Sequence, residues 1–239
     1  MEKIVKVLND NNEIIKTYKV ERNANLMAYI DAQISNAKLC MYEHTIMAQK
    51  SDFCNWHVLR PEVKEYVDEH ISVALVGGAV TDLLLELEPK DLDILYLYNA
   101  QNGWQDVPRE DFEQAPTYIC YEGITDVLKR FYGFLSKPYC YTNGPIPNSY
   151  VQCYKAKNHK IDFLFSYSKE SKGEIGIFNY VLNLFDQDIK LGIYNGKEFI
   201  IHEDMYNALQ NRKVSINKRL KSVTEKELFR LTKAKDKYE

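Results

Sequence analysis

The chain has 239 residues, 45% of them hydrophobic and 27% charged, and its 31 Lys/Arg against 34 Asp/Glu leave a net charge of −3. That length bounds it to one large domain, or one catalytic domain with a small appendage, able to bury a core without disulfide or metal staples. The slightly acidic balance argues against wholesale electrostatic binding to long nucleic acid, and no window reaches the ~18 apolar residues of a membrane span.

The N-terminus, Met1–Lys6, has no apolar signal core, so a soluble chain is expected. Cys40, Cys54, Cys120, Cys140 and Cys153 are odd in number and scattered, with no CxxC pair. They read as reduced, mostly buried thiols of a cytoplasmic protein rather than a zinc site or disulfide framework. Charge is uneven: residues 212–239 hold ten Lys/Arg and four Asp/Glu, a balance of +6 that leaves −9 for the rest. Such a segment is either a face for phosphates or a solvated helix.

In chain order, Ile4–Leu8 and Ile14–Val20 flank the polar run Asn9-Asp10-Asn11-Asn12 and predict a hairpin. Asn25–Gln49 predicts an amphipathic helix with Leu26, Tyr29, Ile30, Ile34, Ala37 and Met41 on its apolar face. A second helix is expected from Pro61 to about His70. Ser72–Val76 reads as a strand ended by Gly77-Gly78, Ala79–Leu87 as an apolar helix, and Leu92–Leu97 as the next strand. The stretch Asn99–Ala115 reads as a loop, Ile124–Leu135 as a helix and Tyr141–Asn148 as a turn. Two strands follow, Tyr150–Tyr154 and Lys160–Phe165, separated by the polar stretch Lys155–His159. Ile177–Phe185 is a helix or a strand. A hairpin around Asn195-Gly196 joins Ile189–Tyr194 to Phe199–Ile201, and from Asp204 onward the chain reads as helical. The expected organisation is an accessory layer over 1–70, a core over 71–217 and a basic helix over 218–239.

The chemistry concentrates in two places. Asp91 and Asp93 stand at the start of a strand, where alternation puts i and i+2 on one face. Two adjacent carboxylates repel unless a cation sits between them, and Mg²⁺ (or Mn²⁺) suits such hard oxygen ligands. Asp162 lies inside the apolar run Ile161–Phe165, where an unpartnered charge is costly, which makes it the candidate third ligand and the candidate proton acceptor. Gly77 and Gly78 let the backbone approach a triphosphate closely, with free helix N–H groups beyond them.

The run Ala74-Leu75-Val76-Gly77-Gly78-Ala79-Val80-Thr81-Asp82-Leu83-Leu84-Leu85, followed by Lys90-Asp91-Leu92-Asp93-Ile94, resembles the signature of the polymerase-β-like nucleotidyltransferase superfamily. It is closest to the head domain of bacterial poly(A) polymerases and class II CCA-adding enzymes. Phe185-Asp186-Gln187-Asp188-Ile189-Lys190 is similar to a second block of that family. The resemblance spans about 72–217 and is dense at its start. It implies an α+β fold, a nucleotidyltransferase-type mixed sheet flanked by helices, with the N-terminal hairpin and helix as an addition. It implies Asp91 and Asp93 as metal-binding catalytic residues, which Asp162 joins on the burial argument above, and Gly77, Gly78, Asp82, Lys90 and Asp186 are the expected nucleotide-binding residues. The expected reaction moves a nucleoside monophosphate from a nucleoside triphosphate to an acceptor hydroxyl on an RNA 3′ end, a protein or a small molecule. The alternative is a catalytically idle nucleotide-binding or interaction module on the same fold.

Departures from the pattern are as informative. Thr81 replaces an arginine, Glu86-Leu87-Glu88 replaces a glycine-containing turn, and Leu184-Phe185 stand where two arginines precede Asp186. The sequence ends where the family's helical neck, body and tail begin, so completion of transfer RNA is not expected. His44, His57, His70, His159 and His202 show no metal-ligand spacing and read as structural or surface groups. Of the eighteen tyrosines, those from Tyr118 to Tyr154 either stack on a base or, more simply, half-bury in strands and loops. Lys218, Arg219, Lys221, Lys226 and Arg230 either line a cleft or form a solvated face.

Overall fold

In the computed structural model, residues 1–50, 71–99, 125–136, 139–141, 151–168 and 173–239 are described. The helix expected at Pro61–His70 and nearly all of the loop at Asn99–Ala115 and the turn at Tyr141–Asn148 fall outside them.

The N-terminal hairpin forms as its composition dictates. Strands β1 (Glu2–Leu8) and β2 (Ile14–Glu21) pair antiparallel. The Asn9 carboxamide oxygen accepts from the backbone N–H groups of Asn11 and Glu13, both at 3.0 Å, and Asn12 takes the left-handed conformation at φ 62. Helix α1 (Ala24–Lys50) follows. Its buried seam is Met27, Ile30, Ile34, Ala37 and Met41, with Cys40 beside it, while Leu26 is only partly buried and Tyr29 is exposed. The expected face is thus corrected by one position at its start: the 3-4-3-4 spacing runs from Met27, which brings Cys40 inward.

The remaining strands are β3 (Ile71–Val76), β4 (Leu92–Asn99), β5 (Tyr139–Tyr141), β6 (Val151–Ala156), β7 (Ile161–Ser168), β8 (Gly192–Tyr194) and β9 (Glu198–His202). They join the hairpin in one nine-stranded mixed sheet of order β2-β1-β9-β8-β3-β4-β7-β6-β5. Two pairings are parallel, β1 with β9 and β4 with β7. Among the described residues five helices accompany α1: α2 (Gly78–Leu84), α3 (residues 125–132), α4 (Gly173–Leu184), α5 (Glu203–Asn211) and α6 (Glu225–Tyr238). The architecture is mixed α+β, as expected.

Alternation sorts the sheet into two covered faces. Tyr96 donates to the Ala37 carbonyl of α1 and stacks on Phe165, and Tyr132 of α3 packs on Phe163, so α1 and α3 cover this face. The neighbours in sequence, Asp93, Leu95 and Leu97 on β4 and Asp162, Leu164 and Ser166 on β7, point the other way. There Ser166 shares a hydrogen bond with Tyr180 of α4. Tyr194, Phe163, Phe178 and Phe199 are the largest fully buried side chains.

Several element boundaries differ from expectation for local reasons. Helix α2 stops at Leu84, with Glu86 at φ 61. Ile177–Phe185 resolves as helix, and Asp188–Lys190 is a 3₁₀ turn, so β8 begins only at Gly192. Lys155 and Ala156 extend β6, and only Lys157–His159 form a turn. Past Asp204 the chain is not continuously helical. Arg212 terminates α5 at φ 48, and a new helix starts only where Thr224 and Glu227 form a reciprocal capping box.

Asn217 explains why the intervening segment is not helical. Its buried carboxamide donates to the carbonyls of Leu182 and Phe185 at 2.8 Å each, satisfying the end of α4, and its N–H donates to the Asp186 carbonyl at 2.9 Å. Asn217→Ala is therefore expected to cost about 2–3 kcal/mol, because it leaves two buried acceptors without donors. Urea denaturation checks this, and an unchanged midpoint would show that the clamp contributes nothing.

His202 is fully buried and caps α5 by accepting from the Asp204 N–H at 3.1 Å. Burial and the neighbouring Arg219 hold its pKa below the usual histidine value. With Lys218 and Arg219 it ties Asp10 of the hairpin turn to the start of α5. Cys40 and Cys153 are buried. Among the described residues no helix is long and apolar enough to cross a membrane.

Candidate active site

Sheet register builds the site. Val76 pairs with Asp93, Asp93 with Asp162 on parallel β7, and Asp162 with Lys155 on antiparallel β6. Four strands therefore present Val76, Asp93, Asp162 and Lys155 in one row at one end of the sheet. Side chains in register on neighbouring strands share a face, so Asp93, Asp162 and Lys155 point to the same side, away from α1. Asp91 lies just before β4, exposed at the rim.

Electrostatics follows from that row. Burial pushes the Asp93 carboxyl up to about 7, and the charges of Asp91 and Asp162 push the same way, against smaller opposing effects of Lys190 and Lys155. Asp162 differs: Lys155 donates to its Oδ2 at 2.6 Å, and that pairing holds the Lys155 ammonium above its usual range despite burial.

The glycine turn is shaped around Asp93. Gly77 sits at φ 72, ψ −145, and a Cβ there would lie 2.9 Å from Asp93 Oδ2 and 3.2 Å from Phe185 Cζ. Backbone and carboxylate meet with no room for a side chain. Gly78 opens α2, where a Cβ would meet only the Tyr238 hydroxyl at 3.7 Å.

Asp82 and Asp186 are each 3% exposed, and both face cations of the basic C-terminal helix. Lys237 pairs with Asp82 at 2.7 Å and Tyr238 donates to it at 2.9 Å, while Arg230 stands 3.5 Å from Asp186 Oδ2. The basic segment thus divides: Arg230 and the still exposed Lys237 each pair with a buried carboxylate, Lys221 and Lys226 are exposed, and Lys218 and Arg219 serve the His202 network. Thr81, fully buried where the resembled pattern has an arginine, donates to the Ile189 carbonyl at 2.7 Å and fixes the turn that carries Lys190. Lys90 is exposed at the turn before Asp91. Lys155, Lys190, Lys237 and Tyr238 were not singled out by the sequence: strand register brings in Lys155, and Lys237 and Tyr238 reach Asp82 across more than 150 residues.

A Lys237→Ala/Tyr238→Phe double substitution is expected to strip Asp82 of both partners, at about 2–3 kcal/mol. Amide exchange should then quicken across residues 225–239. Unchanged protection there would show that α6 is held by its apolar contacts alone.

The donor set suits a hard divalent cation, since three carboxylates converge and Asp93 is strained by the charge of its neighbours. The convergence is open rather than closed. Among the described residues, the cluster whose ligand atoms all lie within 4.8 Å of one another is instead Asp10, His202 and Glu203. Asp10 and His202 of that trio are already engaged by Lys218 and Arg219.

No family model and no curated protein sequence matches the chain. Solved structures similar to it include a Thermotoga maritima CCA-adding enzyme complexed with tRNA, at 16% identity and TM-score 0.36, covering 61% of this chain and 28% of that one. A CCA-adding enzyme in apo form I aligns at 16% identity and TM-score 0.42, over 82% of this chain and 36% of that one. A CCA-adding enzyme with CTP aligns at 16% identity and TM-score 0.37, over 61% and 28%. The chain thus spans about a third of the length of these enzymes.

Proposed function

We propose that the protein is a metal-dependent nucleotidyltransferase that moves a nucleoside monophosphate from a nucleoside triphosphate to an acceptor hydroxyl. The observation that carries this reading is the register that sets Asp93 beside Asp162, with the glycine turn of Gly77 closed onto the Asp93 carboxylate. The run Val76-Gly77-Gly78 through Lys90-Asp91-Leu92-Asp93, similar to the nucleotidyltransferase signature, supports it independently.

Asp91, Asp93 and Asp162 would hold Mg²⁺ or Mn²⁺, which when bound supplies Lewis-acid stabilisation of phosphoryl oxygens and lowers the acceptor hydroxyl's pKa. The residues themselves do the rest. Gly77 lets the backbone close on the Asp93 carboxylate, and Gly78 would leave the first N–H groups of α2 accessible to the phosphates. The acceptor oxygen forms a bond to the α-phosphorus, the bond to the bridging α–β oxygen breaks, and pyrophosphate leaves with that electron pair. The acceptor's proton passes to Asp162. A second reading, an idle nucleotide-binding module, has one observation in its favour, the Lys155 hydrogen bond that engages Asp162 Oδ2.

The test incubates the protein with each α-labelled nucleoside triphosphate, Mg²⁺ or Mn²⁺ and cell lysate, beside an Asp91→Ala/Asp93→Ala double variant. Label transferred by the wild type alone, to RNA, protein or a small product, supports the transferase and names the acceptor class. Nucleotide binding by both proteins with transfer by neither sinks it in favour of the idle module.

A further inference from the structure

The carboxylate row holds a cation of its own. Lys155 is in register with Asp162 across the antiparallel β6–β7 pair, on the same face, and its ammonium donates to Asp162 Oδ2 at 2.6 Å. The Asp162 side chain is 14% exposed and that of Lys155 40%, so the carboxylate is sheltered and the lysine comes to it from the more open side. The backbone of Lys155 is fixed at both edges of β6. Strand β5 pairs with β6 only as far as Cys153, and beyond it Ser136 takes over. Its hydroxyl accepts from the Lys155 N–H and its own N–H donates to the Lys155 carbonyl, both at 3.0 Å.

That ammonium limits what else the row can hold. Asp91, Asp93 and Asp162 offer three negative charges, and one fixed ammonium leaves two, which a single divalent ion neutralises. A carboxylate that bridges two ions turns one oxygen to each. Asp162 has Oδ2 committed to a charge-assisted bond, so at most its second oxygen remains for an ion. A second divalent ion would have to break that bond and would stand beside the displaced ammonium, where like charges close together are poorly screened.

We propose that Lys155 is a positioning residue that stands in the row as a fixed monovalent cation, so that the site by itself takes one divalent ion and not two. The ion sits at Asp91 and Asp93 with no more than one oxygen from Asp162. This deepens the nucleotidyltransferase reading and rests on it for the chemistry, whereas the ion count does not depend on transfer. A further ion enters as the nucleotide's own, complexed to its triphosphate. Lys155 acts through Asp162 and touches no reacting atom.

Titration of the nucleotide-free full chain with Mn²⁺, free ion being read by electron paramagnetic resonance, counts the ions. The wild type is expected to bind one and Asp91→Ala/Asp93→Ala none. Lys155→Met removes the charge at similar length and should take a second ion. It should also hold the first about tenfold to a hundredfold tighter, the scale of one like charge removed at close range. Lys155→Arg keeps the charge and should again bind one. The wild-type count needs no variant, so it stands even if a variant folds poorly. Two ions or none in the wild type overturns the proposal. A single ion in folded Lys155→Met overturns it too, and at unchanged affinity the lysine is a cross-strand ion pair only. If the counts come out as described while no nucleotide is transferred to any acceptor, the lysine-limited metal site stands and the transferase reading falls. If transfer occurs and the wild type binds two ions, the reverse holds.

Discussion

Asp93→Asn is expected to reduce nucleotidyl transfer by about 10³-fold or more, the scale on which a principal electrostatic group contributes to catalysis, while making the metal-free protein more stable. The folded carboxyl is pushed up to about 7 from an ordinary value of 3.8. A raised folded pKa means that the folded state binds the proton more tightly than the unfolded chain. Wild-type stability should therefore be highest below about pH 4 as far as this group is concerned, fall as pH rises toward 7, and level off beyond. The full penalty is roughly 4 kcal/mol at most, and Asn removes the charge that incurs it. Thermal melts without metal at pH 5 and pH 8 test this. The variant should gain on the wild type mainly at pH 8, and added Mg²⁺ should close that gap by stabilising only the wild type. Equal pH dependence in the two proteins would show that Asp93 is not under electrostatic strain.

Gly77→Ala should be the most damaging change outside the carboxylates. Its φ of 72 with ψ −145 belongs to a region that is essentially restricted to glycine, and the added Cβ would arrive 2.9 Å from Asp93 Oδ2. Backbone strain costs about 1–3 kcal/mol and the collision adds to it. Since the nearest atom belongs to the proposed metal-binding carboxylate, relief comes by displacing Asp93, so on the proposed function activity should fall more than stability does. Gly78→Ala is the control. Its Cβ meets only the Tyr238 hydroxyl at ordinary contact distance, and alanine favours the first turn of a helix, so stability should rise by about 0.5 kcal/mol. Equal losses in the two variants would mean that Gly77 serves only as a turn.

How much of this was legible in the sequence depends on how local each signal is. The strand, glycine turn, helix and strand from 72 to 97 are contiguous, and their alternation and glycines suffice to place Asp91 and Asp93 at one sheet end. Asp162 stood out because a charge inside Ile161–Phe165 demands a partner. That partner, Lys155, could not be read, since cross-strand register decides it and the polar stretch seemed to be a connection. Lys237 and Asp82 lie 155 residues apart, beyond any periodicity. The apolar face of α1 slipped because Leu26 and Tyr29 fit the helical period nearly as well as Met27, and only packing against the sheet separates them. The irregular segment after Arg212 was hidden for a related reason: its composition suits a helix, and the buried contacts of Asn217 override it.

The parallel pairing of β1 with β9 has a consequence for how the chain acquires its shape. Ile4 lies opposite Glu198 and Leu8 opposite His202, so β1 has its inner neighbour almost two hundred residues further along the chain. Until that neighbour emerges, the β1–β2 hairpin presents one unpaired edge, and the loop that must close runs from β1 to β9. Folding should be slow and dominated by that late closure. Fragments ending before β9 should associate through the open edge rather than remain as folded monomers.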